Sequence, residues 1–343
     1  REMTPTAALM PLLSVENLSV NFQLKRGLLG RALNLSAVRN VSFTIESGRT
    51  FGLVGESGSG KSTIGRAILR LAPISGGRVV FDGSDTTAFG QRPPLSFRRD
   101  VQVVFQDPLS SLNPRQTVGT TIGQAISRHR GVSRKQRKRE IDEVLDSVGL
   151  ASYQADRYPY ELSGGQRQRV AIARALAVRP RLIICDEPVS ALDVSTQSQV
   201  INLLVDLQRK FGLSYLFIAH NLDVVRHISH TIGVLYLGRL VETGPADVVY
   251  GAPMHPYTQM LLASTLVADP EAQALRSKAR RLQPKTEPPS ALSPPPGCPF
   301  NTRCAWAAEV CRMRTPELAH AGSELRQVSC HRIAEVRAAQ DAG

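Results

Sequence analysis

The segment Gly55-Glu-Ser-Gly-Ser-Gly-Lys-Ser-Thr63 fits the pattern G-x-x-x-x-G-K-[ST]. It lies between a short apolar strand-like run, Thr50 to Val54, and an apolar-periodic helix from about Lys61 to Leu71. Glycines let such a loop wrap closely, so that its N–H groups and the helix N-terminus point at an anion. The pattern assigns Gly55, Ser57, Gly58, Ser59, Gly60, Lys61, Ser62 and Thr63 to nucleotide phosphates. Lys61 reaches the β- and γ-phosphates, and Ser62 is a ligand of Mg²⁺.

The rest of the chain is organised around that unit. Residues 12 to 22 and Ala37 to Ile45 alternate apolar and polar side chains and read as strands with one buried face. Arg181 to Cys185 and Ser214 to Ala219 are continuous apolar runs separated by a helical stretch, Thr196 to Lys210, which indicates βαβ units on a parallel sheet. Between about Asp107 and Val178 the pattern is mostly helical, an inserted helical subdomain. With 343 residues, 42% of them hydrophobic, the chain is long enough for one large domain or two smaller ones. No apolar run approaches the roughly 18 residues that cross a bilayer. The start lacks a basic segment followed by an apolar one, so a cytosolic location is expected.

The strand Leu182-Ile-Ile-Cys-Asp-Glu187 ends in adjacent carboxylates, whose side chains must diverge where strand residues alternate. Asp186 would then hold Mg²⁺, and Glu187 would accept a proton from, or orient, the water that attacks the γ-phosphate. Cys185, inside the apolar run, reads as a small core residue.

The formal net charge of +13 raises nucleic acid or an anionic membrane as partners. Its distribution argues otherwise, because Arg128, Arg130, Arg134, Lys135, Arg137, Lys138 and Arg139 fall in one run. That run reads as a solvated helix face, with lipid headgroups or a membrane partner as the alternative, and no nucleic acid is expected.

Leu162-Ser-Gly-Gly-Gln166, followed by Arg-Gln-Arg-Val-Ala-Ile-Ala-Arg-Ala, resembles the signature motif of ABC ATPases. The resemblance implies that Ser163, Gly164, Gly165 and Gln166 clamp the γ-phosphate bound to an opposite protomer, through N–H groups exposed before a helix. Further positions match the family. Gln106, after a strand Val101 to Phe105, resembles the glutamine that senses Mg²⁺ and links hydrolysis to membrane subunits. Asp193, in Ser190-Ala-Leu-Asp193, resembles the D-loop aspartate, and His220 resembles the switch histidine that contacts the γ-phosphate. Phe22 resembles the aromatic that stacks on adenine, an ordinary core phenylalanine being the other reading. The implied fold is the α/β phosphate-loop core of the ABC type, with a helical subdomain, an antiparallel β subdomain and a small C-terminal extension. The implied partner is a second ABC ATPase domain, identical or homologous, in a head-to-tail dimer around two ATP.

Phe105-Gln-Asp-Pro-Leu-Ser-Ser-Leu-Asn-Pro114, His255-Pro-Tyr-Thr-Gln-Met-Leu-Leu262 and Gly297-Cys-Pro-Phe-Asn-Thr-Arg-Cys304 resemble the oligopeptide, dipeptide and nickel importer ATPases. In that family an ATPase pair at the cytoplasmic face of the inner membrane drives two permease subunits fed by an extracytoplasmic binding protein. Peptide import is the implied function, and nickel import is the alternative. An ABC-type ATPase of DNA repair would carry a zinc insertion or long coiled coil between Gly55 and His220, and neither is present.

The ATPase domain is expected over residues 12–255. Residues 256–343 are expected as an appended module, not a continuation of the sheet, entered through a proline-rich linker at 284–297. Cys298, Cys304, Cys311 and Cys330 are separated by five, six and eighteen residues, with His320 and His331 nearby. A reducing cytosol disfavours disulfides, and the spacing lacks the close pairs of structural zinc sites. A [4Fe-4S] cluster is the leading reading, with zinc or unliganded thiols as alternatives.

Overall fold

The structure is a computed structural model that describes residues 10–24, 33–90, 92–264, 287–322 and 325–341. The first residues of the expected linker, 284–286, lie outside that range. The strands in chain order are β1 (Leu13–Leu24), β2 (Leu33–Ile45), β3 (Thr50–Val54), β4 (Gly76–Phe81), β5 (Ser84–Asp85) and β6 (Val101–Val104). They continue with β7 (Leu182–Asp186), β8 (Ser214–Ala219), β9 (Thr231–Tyr236), β10 (Arg239–Pro245), β11 (Ala319–His320) and β12 (Gln327–Val328).

Two sheets result. An antiparallel sheet runs β2-β1-β4-β5, and a larger one runs β11-β12-β10-β9-β3-β8-β7-β6. In the larger sheet β3 pairs in parallel with both β8 and β9, and β7 pairs in parallel with β8 and β6. Every residue of β3, β7 and β8 is buried, which explains their unbroken apolar sequences. Alternation still sorts the side chains by face. Leu182 and Ile184 join β1, β2 and the helix Lys61–Ile68 in one core. Ile183 and Cys185 join the helices Gly164–Leu176 and Val194–Phe211 in the other. Cys185 is the small core residue expected.

The helical region comprises Pro108–Ser111, Val118–Arg130, Arg134–Ser147 and Gly164–Leu176. Thr117 and Ser133 cap the second and third of these by accepting from the N–H groups of Thr120 and Gln136. Of the basic run, Arg128, Arg134, Lys135, Lys138 and Arg139 are exposed. Arg130 instead pairs with the buried Glu140 at 2.7 Å, and Arg137 donates to Ser127 Oγ at 2.6 Å. Among the described residues no helix is long and apolar enough to cross a membrane.

The tail differs from the expected separate module. β12 pairs with β10, Glu242 opposite Val328, so the C-terminal segment extends the large sheet. Tyr257, Leu261, Leu262, Cys298, Phe300 and Cys311 belong to the main core. The junction is fixed by Glu242, which is fully buried and pairs with Arg326 of the tail. Its carboxylate also accepts the N–H groups of Met254 at 3.0 Å and His255 at 2.9 Å, so the buried charge is both paired and hydrogen-bonded. Strands of two residues carry too little pattern to be read from alternation.

Candidate nucleotide-binding site

β3 delivers the chain into the phosphate loop, whose close backbone contacts explain its glycines. A Cβ on Gly55 would stand 2.2 Å from the carbonyl oxygen of Leu235. Gly60 has φ of 106°, and a Cβ there would lie 2.4 Å from the Ala37 carbonyl oxygen. Ser57 and Gly58 form the exposed crest, Ser59 is buried, and Ser62 and Thr63 are half-buried on the first turn of Lys61–Ile68. That turn contains no acidic residue, so nothing on it neutralises the positive end of the helix dipole. Lys61 folds over the loop, and its Nζ donates to the carbonyls of Gly55 at 2.7 Å and Glu56 at 2.9 Å. Burial lowers its pKa, opposed by the neighbouring charges of Glu187, Asp186 and Glu56.

The end of β7 meets this loop. Ser62 Oγ donates to Asp186 Oδ1 at 2.7 Å. Burial raises the Asp186 pKa, while the Ser62 hydrogen bond and nearby Arg66 work against it. β7 ends at Asp186, and Glu187 turns away with φ of 49°, its N–H donating to the Ile218 carbonyl at 2.9 Å. The two carboxylates therefore diverge through a left-handed turn at Glu187, where alternation within a strand was expected. Glu187 Oε1 lies 3.9 Å from Lys61 Nζ and its Oε2 lies 3.8 Å from Nδ1 of His220, which is largely exposed just past β8. Five predicted residues, Lys61, Ser62, Asp186, Glu187 and His220, thus share one place at the carboxyl ends of β3, β7 and β8.

The remaining predicted residues lie elsewhere. Ser163 caps the helix Gly164–Leu176 in a reciprocal box with Gln166: the Gln166 N–H donates to Ser163 Oγ at 3.3 Å, and the Ser163 N–H to Gln166 Oε1 at 2.9 Å. Gly165 packs against Thr196, whose Cγ2 would be 2.6 Å from a Cβ there. Ser163, Gly164, Gly165, Gln166, Asp193 and Thr196 line one cavity of about 270 Å³, to which no phosphate-loop residue contributes. The Asp193 carboxylate caps Val194–Phe211, taking the Thr196 N–H at 2.9 Å together with the hydroxyls of Ser195 and Thr196, which lowers its pKa. Gln106 is exposed beyond β6, which ends at Val104. It borders a cavity of about 110 Å³ with Gly164, Arg167 and Pro188. Phe22 is half-buried on β1, opposite Leu35, at the margin of the core beneath the antiparallel sheet.

Two participants were not foreseen. Arg303 of the tail grips the Glu56 carboxylate with Nη1 at 2.7 Å and Nη2 at 2.9 Å, and Tyr257 Oη accepts the Glu56 N–H at 2.8 Å. Both belong to segments singled out in the sequence, but no periodicity or spacing links them to residue 56.

The expected [4Fe-4S] cluster, or a zinc ion in its place, finds no support in the arrangement of the tail cysteines. Among the described residues no group of three or more His, Cys, Asp or Glu side chains is arranged to hold a metal ion. The four thiols are near enough for Cys304, Cys311 and Cys330 to oppose ionisation of Cys298, but apolar packing places them. Cys298 and Cys311 are buried in the main core, Cys304 packs on its edge, and Cys330 joins a small cluster with Met254 and Val328. Burial pushes the Cys298 thiol up to about 12 and the Cys304 thiol to about 11. Of the nearby histidines, His320 faces Gln327 and His331 contacts the Arg314 carbonyl.

Residues 38–190 match the ABC transporter family, and residues 241–311 match the C-terminal region of oligopeptide/dipeptide transporters. A probable peptide ABC transporter ATP-binding protein of Sinorhizobium fredii, y4tS, is 45% identical over 330 residues, 96% of this chain and 92% of its own length. The oligopeptide transport ATP-binding protein AppF of Bacillus subtilis is 45% identical over 322 residues, 93% of this chain and 97% of its own. Among solved structures, the dimeric ATP-binding cassette MJ0796 in a post-hydrolysis state with ADP and phosphate is similar, with a TM-score of 0.59 and 30% identity. It covers 68% of this chain and 98% of its own. With relatives this similar over nearly its whole length, the chain belongs to the ATP-binding proteins of the oligopeptide and dipeptide ABC transporter family.

Proposed function

We propose that this chain binds and hydrolyses ATP to drive peptide import, working at the cytoplasmic face of the cell membrane. The observation that carries this reading is the meeting of Lys61, Ser62, Asp186, Glu187 and His220 at the ends of three adjacent strands. The relatives named for peptide transport support the cargo, and none of those compared above is named for nickel.

The loop N–H groups and Lys61 bind the β- and γ-phosphates, with Lys61 Nζ exchanging a loop carbonyl for a phosphate oxygen. Ser62 and Asp186 bring hard oxygen atoms together at 2.7 Å, a donor set that suits Mg²⁺. Ser62 and Asp186 would hold that ion, which would supply positive charge to offset that of the phosphates. Glu187 orients the attacking water and accepts its proton as oxygen bonds to the γ-phosphorus and ADP departs. His220, beside Glu187, contacts the γ-phosphate, and Phe22 stacks on adenine.

The signature residues line a cavity apart from the phosphate loop, which supports a head-to-tail dimer in which Ser163 to Gln166, with Asp193 beside them, complete the partner's site. The similar cassette MJ0796, itself a dimer, supports the pairing of two such chains. Gln106 senses Mg²⁺ and links the nucleotide to two permease subunits. The groove of about 1150 Å³ in the helical region, bordered by Gln124, Arg128, Arg137 and Tyr153, offers them a surface. An extracytoplasmic binding protein supplies the solute.

Reconstitution of the chain with its permease subunits and binding protein in vesicles tests this reading. ATP-dependent accumulation of labelled di- or oligopeptide is the expected result. Nickel accumulation without peptide uptake would contradict it.

A further inference from the structure

Glu56, the first residue after Gly55 of the phosphate loop, is held at three points. Its C=O accepts Lys61 Nζ at 2.9 Å, its N–H donates to Tyr257 Oη at 2.8 Å, and its carboxylate takes both terminal nitrogens of Arg303. The first of these contacts is internal to the loop. The other two come from residues 201 and 247 positions further along the chain, so the C-terminal segment holds the start of the loop by a neutral hydrogen bond and a charged fork.

The fork rests on a rigid base. Tyr257 is fully buried, and the Arg303 side chain is 8% exposed. The guanidinium carbon lies 5.9 Å from the Tyr236 ring centre and 5.8 Å from that of Phe300. The Phe300 ring itself packs on Tyr236 at 5.3 Å and on Tyr257 at 5.4 Å. The Glu56 N–H is directed at the tail, onto Tyr257 Oη.

We propose that Arg303 and Tyr257 are positioning residues for ATP, holding Glu56 so that the loop after it is already shaped for the triphosphate. Residues 57 to 60 are Ser-Gly-Ser-Gly, a stretch with large conformational freedom, and ordering it only on binding would reduce affinity. Anchoring its first residue removes part of that loss. Neither residue reaches the reacting atoms, so the clamp acts on nucleotide affinity more than on chemistry. The proposal rests on the assignment of the loop to ATP phosphates.

The test uses the full chain and MgATP, with Kd from displacement of a fluorescent nucleotide, kcat from steady-state hydrolysis, and melting temperature as a fold check. Lys61→Ala tests the underlying assignment separately. If it leaves Kd unchanged, that assignment fails. If it raises Kd and Arg303→Ala does not, only the clamp fails. Arg303→Ala is expected to raise Kd about tenfold while kcat falls less than about threefold. Arg303→Lys, with a single ammonium nitrogen in place of the planar fork, should restore only part of the affinity. Glu56→Ala should match Arg303→Ala, and the double variant should add little beyond either. Effects of the two single changes that multiply in the double variant would overturn the proposal. Where Arg303→Ala does not fold, Tyr257→Phe keeps the ring and removes the Glu56 acceptor. A rise in Kd of about threefold supports the clamp, and an unchanged Kd overturns it.

Discussion

Ser62 Oγ donates to Asp186 Oδ1 at 2.7 Å, tying the first turn of the phosphate-loop helix to the end of β7 across 124 positions of sequence. The hydrogen bond stands among the features that oppose the upward pull of burial on the Asp186 carboxyl. In Ser62→Ala one of the two oxygen donors is gone. The Mg²⁺ concentration for half-maximal hydrolysis should then rise about tenfold or more, read from a magnesium titration of the ATPase rate. An unchanged titration would remove Ser62 from the metal site.

Gly60 and Gly131 both have positive φ, 106° and 60°, but differ in surroundings. A Cβ at Gly60 meets the Ala37 carbonyl oxygen at 2.4 Å, whereas one at Gly131 meets nothing within 4 Å. Gly60→Ala combines backbone strain with a clash and should cost about 3 kcal/mol or more; Gly131→Ala carries the strain alone, about 1 kcal/mol. Chemical denaturation of the two variants checks the ordering. Equal losses would mean that the Ala37 contact is not a constraint.

His255 is fully buried, and burial lowers its pKa to about 3 from the ordinary 6.5. Its Nδ1 accepts the Tyr257 N–H at 3.1 Å, capping the helix Pro256–Ala263. The folded state thus binds the proton less well than the unfolded state. The full contribution is present above pH 6.5 and is lost as pH falls toward 3, at up to about 1.4 kcal/mol per pH unit. Acidification from pH 7 to 5 should remove about 2 kcal/mol through this residue alone. In His255→Asn, which keeps a capping acceptor, the stability profile over that interval should flatten. An identical slope in wild type and variant would show that His255 does not set it.

The residues of the site were legible where chemistry is carried by contiguous motifs at strand ends. Gly55 to Thr63, Glu187 and His220 follow, and Asp186 ends, fully buried strands whose apolar runs are plain in the sequence. Contacts across the fold were not. Glu56 and Arg303 are 247 positions apart, and no pattern distinguishes that arginine from the chain's other cations. The extension of the sheet by β12 rests on two residues, too few for alternation to register. Four cysteines suggested a shared ligand, yet the core contacts of Cys298 and Cys311 are set by packing that sequence spacing does not encode. Asp193 resembles the D-loop aspartate of the ABC family. The local sequence Asp-Val-Ser-Thr also fits the helix cap it forms.

Glu187, poised between Lys61 and His220, is the group proposed to receive the proton of the attacking water. The most direct test is the hydrolysis rate of Glu187→Gln, measured with its ATP affinity on the same preparation. The amide keeps the size of the side chain and loses the base. Hydrolysis should fall by about 10² to 10⁴ while Kd for MgATP stays within about threefold. Hydrolysis at the wild-type rate would contradict the assignment.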